Sequence, residues 1–204
     1  MRITRTQTAL LIFNVAYLLV FGLLFSGRKN YEFLIYVSVV AFFVVFVAFL
    51  HLKYNFTTGL LTGLTIWGLL HMLGGFIVID GNVLYAYELI GGVIKFDKAV
   101  HMFGFGCATL LGYYVLQQHL NAKPGWAAVS VLAVLTGMGI GALNEIIEFA
   151  AVLTIPETNV GGYQNTMWDM VSNTIGAITA VIYVGIKRTK RQKTAEQVCI
   201  DAQP

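Results

Sequence analysis

Six stretches of this chain are apolar almost without interruption: residues 9–25, 31–50, 57–79, 97–116, 127–153 and 166–186. Each reaches or approaches the roughly 20 residues that a helix needs to cross a hydrocarbon core. The pattern predicts an all-α, polytopic membrane bundle of six transmembrane helices. Most breaks between the runs are short, which makes consecutive helices antiparallel neighbours. Two breaks are longer. Residues 80–96 carry Tyr85, Tyr87, Glu88 and the pair Gly91-Gly92, and residues 154–165 carry Pro156, Glu157, Gly161-Gly162, Tyr163 and Gln164. This mixture suits either an aromatic belt that anchors the helices or a lid over whatever lies beneath.

Composition agrees with a membrane chain. Of 204 residues, 57% are apolar and 11% charged, and the mean hydropathy is +0.74, outside the range of soluble domains. The runs leave room for one membrane domain, residues 1–186, followed by a basic cytoplasmic tail, residues 187–204, expected to be disordered. The first run follows Arg2 and Arg5, as a signal peptide would. Its apolar stretch is longer than a signal's, and Ser26-Gly27 is a poor cleavage site, so it is expected to remain as the first helix.

Lys and Arg set the orientation. With the N-terminus inside, the inner side holds Arg2, Arg5, Lys53, Lys123, Lys187, Arg188, Lys190, Arg191 and Lys193. The outer side holds Arg28, Lys29, Lys95 and Lys98. Both termini are therefore expected in the cytoplasm, with the chain in the inner (cytoplasmic) membrane. The basic run at 187–193 reads as a topology anchor that touches anionic lipid, and no nucleic-acid partner is expected. Cys107 and Cys199 fall in different environments and form no plausible disulfide.

The few polar residues within the runs share one depth. At 1.5 Å rise per residue, Glu148 lies roughly 8 Å and Glu145 roughly 12 Å below the outer end of the fifth run. Asp169 and Asn173 lie roughly 5 and 10 Å down the sixth, and His71 roughly 12 Å down the third. Asp97 opens the fourth run, with Lys98 beside it and His101 one turn further. Helical spacing puts Gly137, Gly141, Asn144 or Glu145, and Glu148 on one stripe. Asp169, Asn173, Gly176 and Ala180 form a second, Asp97, His101 and Phe105 a third, and Trp67, His71 and Gly74 a fourth. Small residues on two of these stripes permit the close approach that membrane helix interfaces require.

A charge in hydrocarbon costs several kcal/mol, roughly 2.5–3.5 on insertion scales. Asp97, Glu145, Glu148 and Asp169 face only Lys98, at the helix mouth, and the two histidines. Shared protons, a bound cation or water must balance them.

The spacings Asp97-Lys98-x-x-His101, Glu145-x-x-Glu148 and Asp169-x-x-x-Asn173-x-x-Gly176 resemble those of the VanZ-like membrane proteins, with Glu148 where that family has Gln. The wording around His71-Met-Leu-Gly-Gly75, residues 141–149 and residues 162–169 resembles more closely the YjdF-like bacterial inner-membrane proteins. The wider resemblance implies cell-envelope or lipid chemistry at the outer leaflet, through an association with resistance to teicoplanin-type glycopeptides.

Three readings follow. In an enzyme acting on a lipid or lipid-linked envelope headgroup, Glu145 or Glu148 is a general base, His101 shuttles protons, and Asp169 orients His101 or holds a metal. Asp97, Lys98, His71, Asn144, Asn165, Asn173 and Tyr163 are the candidate substrate-binding groups. Glu145, Glu148, His101 and Asp169 are the candidate ligands of a divalent metal, Zn²⁺ or Mn²⁺. In a proton- or metal-coupled carrier or binding protein, the same groups form the relay. In a structural protein, they are polar glue that fixes helix packing. His51 and His119 are expected in solvated loops, Glu32 at the interface, and a haem held by His71 and His101 is a minor possibility.

Overall fold

The computed structural model describes residues 3–91, 94–120, 125–156 and 158–201. Arg2, Gly92, Lys123, Glu157 and Pro204 lie outside the described residues, as do the side chains of Glu196, Cys199 and Asp201. The six runs are six helices: α1 (Arg5–Gly27), α2 (Tyr31–Tyr54), α3 (Thr58–Phe76), α4 (Phe96–His119), α5 (Trp126–Thr154) and α6 (Tyr163–Asp201). All six are long and apolar enough to cross a membrane. Three starts are signalled locally. Thr4 and Gln7 form a reciprocal capping box on α1, Asn30 accepts from the Phe33 amide, and Thr57 accepts from the Leu60 amide. Asn55 ends α2 in the left-handed conformation, φ 53°.

The helices form two trios. In the first, α1 packs on both α2 and α3; in the second, α4, α5 and α6 pack on one another, and α3 against α4 joins the two. Aromatic rings fill the first trio, where Phe25 stacks on Phe33 at 5.1 Å and Phe21 meets Phe76 edge-on at 5.6 Å. Small residues fill the second. Ala133 and Ala177 are fully buried, and Gly106 lies so close to α6 that a Cβ there would meet the Gly176 carbonyl oxygen at 3.2 Å. Lipid tails are as apolar as these side chains, so close packing rather than hydrophobic transfer holds the trio together. Outside, Phe42, Val45, Phe46 and Phe49 leave α2 with an exposed apolar face.

The connection between α3 and α4 is not a plain loop. Strands β1 (Val78–Ile79) and β2 (Asn82–Val83) pair antiparallel, as do β3 (Glu88–Ile90) and β4 (Ile94–Lys95). Asp80-Gly81 turns the first hairpin with positive φ at both residues, 49° and 81°. A type I′ turn demands such angles, and Asp-Gly supplies them at low cost. Between the hairpins, a single helical turn (Leu84–Ala86) drops Tyr85 toward the bundle. These hairpins mark what we call the hairpin end of the molecule.

Two expectations need revision. The basic run at 187–193 continues α6 as helix to Asp201, where a disordered tail was expected. Residues 187–201 hold no proline or glycine to stop the helix. His51 lies within α2 rather than a loop, and is buried against Phe56 with both ring nitrogens unpartnered. His119 ends α4 and is exposed, with Nε2 3.4 Å from the Tyr54 hydroxyl.

Candidate functional site

The polar stripes of α4, α5 and α6 converge near the hairpin end. Asp97 and Lys98 lie in the first turn of α4, and His101 follows one turn later. Asp169 and Asn173 face them from α6 with no exposed surface, and Glu145 faces them from α5 at 8% exposure. The stripe thus includes Glu145 rather than Asn144 as its innermost polar residue.

The cluster has two halves. In the first, Lys98 reaches back along its four-carbon stem to join α4 to α6. Its Nζ donates to Asp97 Oδ2 (2.8 Å), Asp169 Oδ1 (2.6 Å) and Asn165 Oδ1 (2.8 Å). Asn165 Nδ2 then donates to Asp169 Oδ2 at 2.8 Å. The buried Asp169 and the partly buried Asp97 thereby share one ammonium through short, charge-assisted bonds. Among the described residues, Lys98 is the one lysine or arginine that touches these carboxylates.

The second half centres on His101, which is 5% exposed. Nδ1 lies 3.1 Å from Asn173 Oδ1 and 3.7 Å from Glu145 Oε1. Nε2 looks toward Asp97 Oδ1 (3.4 Å), Asp169 Oδ1 (3.7 Å) and Glu148 Oε1 (3.9 Å). Asn144 donates to Glu148 Oε1 at 2.8 Å. Among the described residues, neither oxygen of Glu145 has a hydrogen-bond partner, and Asn173 Nδ2 has none either. A buried polar group without a partner carries its full desolvation cost, so Glu145 is costly to keep ionised.

The remaining candidates are sorted by these contacts. Asn165 joins the Lys98 half, and Asn144 and Asn173 support the His101 half. His71 stands to one side, its Nδ1 against the Tyr85 hydroxyl, which also donates to the His71 carbonyl at 3.1 Å. Tyr163 is 78% exposed and is not brought into the cluster. Asp169 belongs with Asp97 and Lys98, so the four expected metal ligands do not form one set. They fall into two groups that share His101: Asp97, His101 and Asp169, and His101, Glu145 and Glu148.

Residues 8–190 match the sequence family described as predicted membrane protein (DUF2238). The chain belongs to this family. A relative from Thermotoga maritima, described as an uncharacterized protein, is 30% identical over 112 residues, or 54% of this chain and 57% of the relative. The chain thus spans little more than half the length of that relative. No solved structure matches it.

Three residues of this family member escape a reading by stripes. Tyr85 comes from a loop, packs over Gly74 and stacks near Phe33 (6.1 Å). Its hydroxyl end is enclosed, and burial pushes its pKa well above the ordinary phenol value, with Asp97 and Glu148 adding to the effect. Tyr85 is therefore a neutral donor at all physiological pH. Tyr36 meets His71 edge-on at 5.3 Å and has a buried, unpartnered hydroxyl. Glu32, expected at the interface, is buried and accepts from the backbone and side-chain amides of Asn159 at 2.9 and 2.8 Å. That pair ties α2 to the connection between α5 and α6. No local pattern signals a contact 127 residues apart. The Asp-Gly dipeptide between Val78-Ile79 and Asn82-Val83 is a signal that could have found the first hairpin, which was not among the expectations.

Proposed function

We propose that this protein is a membrane-embedded acid–base enzyme acting on a lipid or lipid-linked envelope headgroup that enters from the hairpin end. The observation that carries the reading is Glu145, a buried carboxyl without a hydrogen-bond donor beside an imidazole that faces three further carboxylates. Such a carboxyl is a good proton acceptor, because ionising it in place is costly. Glu145 takes the proton, His101 passes it on, and Glu148, steadied by Asn144, is the alternative base. Asn173 rather than Asp169 orients the ring. The Lys98 clasp holds Asp97 and Asp169 in place.

An apolar groove of about 610 Å³ supports a lipid substrate. Tyr31, Leu34, Ile35, Phe42 and Phe43 of α2 line it with Ile147 of α5, next in sequence to Glu148. Its composition suits an acyl chain whose headgroup lies toward the hairpin end. The resemblance to YjdF-like and VanZ-like proteins supports an inner-membrane location and envelope chemistry. The excess of Lys and Arg on the other side supports cytoplasmic termini, with the hairpin end outward. Toward that cytoplasmic side, Thr109, Gly137 and Ala177 close against one another, which favours a site with one mouth over a carrier's through-path. The Lys98 half favours a structural role for part of the cluster, since it bonds α4 to α6 directly.

The test is to incubate the purified chain in nanodiscs with a bacterial envelope lipid extract and follow every species by mass spectrometry. The wild type should convert at least one species to a product of altered headgroup mass. His101→Ala and Glu145→Gln, folded by size exclusion and melting, should slow that conversion at least 100-fold. Identical lipid profiles for wild type and both variants would reject the enzyme. Cation or proton flux in the same vesicles, absent in Glu145→Gln, would put a carrier in its place.

A further inference from the structure

The two halves of the cluster differ in what already neutralises them. In each group of three that shares His101, one ligand atom from every residue lies within 4.8 Å of the others. Lys98 occupies the group of Asp97 and Asp169 at 2.8 and 2.6 Å. No lysine or arginine among the described residues touches the group of Glu145 and Glu148. Glu145 is more than nine-tenths buried, and both of its oxygens lack a hydrogen-bond partner among the described residues. His101 Nδ1 stands 3.7 Å from Glu145 Oε1, beyond hydrogen-bond reach.

The imidazole is prepared on its other side. Nδ1 faces the side-chain carbonyl of Asn173 at 3.1 Å. Donation there leaves Nε2 with its lone pair, 3.9 Å from Glu148 Oε1. Histidines that ligate metals are held in this way, one nitrogen bonded to an acceptor and the other free for the ion. Glu145 and Glu148 are three residues apart on one helix, so both carboxyls face the same ring. Ligands about 2.0–2.2 Å from one ion stand roughly 3–3.5 Å apart. The ligand atoms of this group lie within 4.8 Å of one another, and closing around an ion at Nε2 requires Glu145 to swing from its place beside Nδ1.

We propose that His101, Glu145 and Glu148 bind one divalent transition-metal ion, Zn²⁺ or Mn²⁺, with Asp97 and Asp169 kept out of the ligand set by Lys98. One imidazole and two carboxylates suit these ions better than Ca²⁺ or Mg²⁺, which prefer all-oxygen sites, or Cu⁺, which prefers sulfur. Three protein ligands leave a position open for water or a substrate oxygen. With an ion bound, His101, Glu145 and Glu148 are ligands and not the proton relay of the catalytic reading, so the two roles exclude each other in one state of the site, and the test reads the ion alone.

The full chain, purified in detergent and stripped with EDTA, is titrated with Zn²⁺ and with Mn²⁺ by isothermal calorimetry. Bound metal per chain is then counted by mass spectrometry after gel filtration, and Co²⁺ is used as an absorbing probe. One ion per chain is expected for the wild type, with a rise in melting temperature on loading. Glu145→Gln and the Glu145→Gln/Glu148→Gln pair should weaken binding at least 10-fold and 100-fold. Asp169→Asn should stay within threefold. No saturable binding by the wild type, by heat, by count or by the Co²⁺ spectrum, overturns the proposal without recourse to any variant. Equal loss in Asp169→Asn and Glu145→Gln, or loss in Asp169→Asn alone, moves the ion to the other group and overturns the assignment. Wild-type binding without lipid conversion would reject the enzyme and leave the metal site standing.

Discussion

Lys98→Met should destabilise the folded bundle by about 3–5 kcal/mol, the cost of breaking a buried ion pair from one side. The Lys98 side chain is 11% exposed and Asp169 is fully buried. Removing the ammonium leaves two acids facing each other, and Asn165 Nδ2 remains as a donor to Asp169 Oδ2. Most of the cost is therefore the stranded charge rather than the lost bond. A second substitution separates the two. In Lys98→Met/Asp169→Asn the fully buried one of the two stranded charges is gone and only the partly exposed Asp97 remains, so more than half of the lost stability should return. Thermal melts in one detergent, with size exclusion to count folded protein, read both outcomes. A Lys98→Met protein as stable as wild type would mean that the clasp does not hold α4 to α6.

Gly176→Ala should cost about 3 kcal/mol, a large effect for one methyl group. A Cβ at this position would run into the Met102 carbonyl oxygen, with the Met102 carbon at 2.9 Å and the Gly106 amide at 3.0 Å. All three are backbone atoms, so no side chain can swing away and α4 must part from α6. That interface also sets the distances from Lys98 to Asp169 and from His101 to Asn173, so the strain reaches the site. Gly139→Ala is the control. Nothing stands within 4 Å of its added Cβ, and a mid-helix Gly-to-Ala change of this kind is neutral or slightly stabilising. Melting temperatures of the two variants in parallel check the contrast. A small loss at Gly176 would mean that the helices can separate at little cost.

Much of this architecture is legible in the sequence because a bilayer imposes a simple rule. Every backbone group must be bonded within its own segment, so an apolar run of sufficient length is a helix. Depth follows from rise per residue, and face follows from the 3.6-residue repeat. These two relations bring Glu145, His101, Asp169 and Asn173 to one place without knowledge of which helices touch. They do not say which charges pair. Lys98, placed at a helix mouth by its position, has a stem long enough to reach Asp169 across an interface. Periodicity describes the backbone direction and not the reach of a flexible side chain. Side chains delivered by loops, such as Tyr85, and contacts between distant segments, such as Glu32 with Asn159, obey neither period. Tyr163 and Asn165 are two residues apart in one turn, yet only Asn165 enters the cluster, a difference in direction that the spacing alone left open.

The account rests on a division of labour within one cluster, in which the Lys98 half holds the bundle and Glu145 is kept at the expense of stability. The direct measurement is the melting temperature of EDTA-stripped Glu145→Gln beside the equally stripped wild type. The amide has nearly the shape of the carboxyl and carries no charge, so it removes the cost of a buried acid without a partner. The expected result is a melting temperature equal to or above that of the wild type. A clear drop would mean that Glu145 stabilises the fold, and the cluster would then be glue throughout.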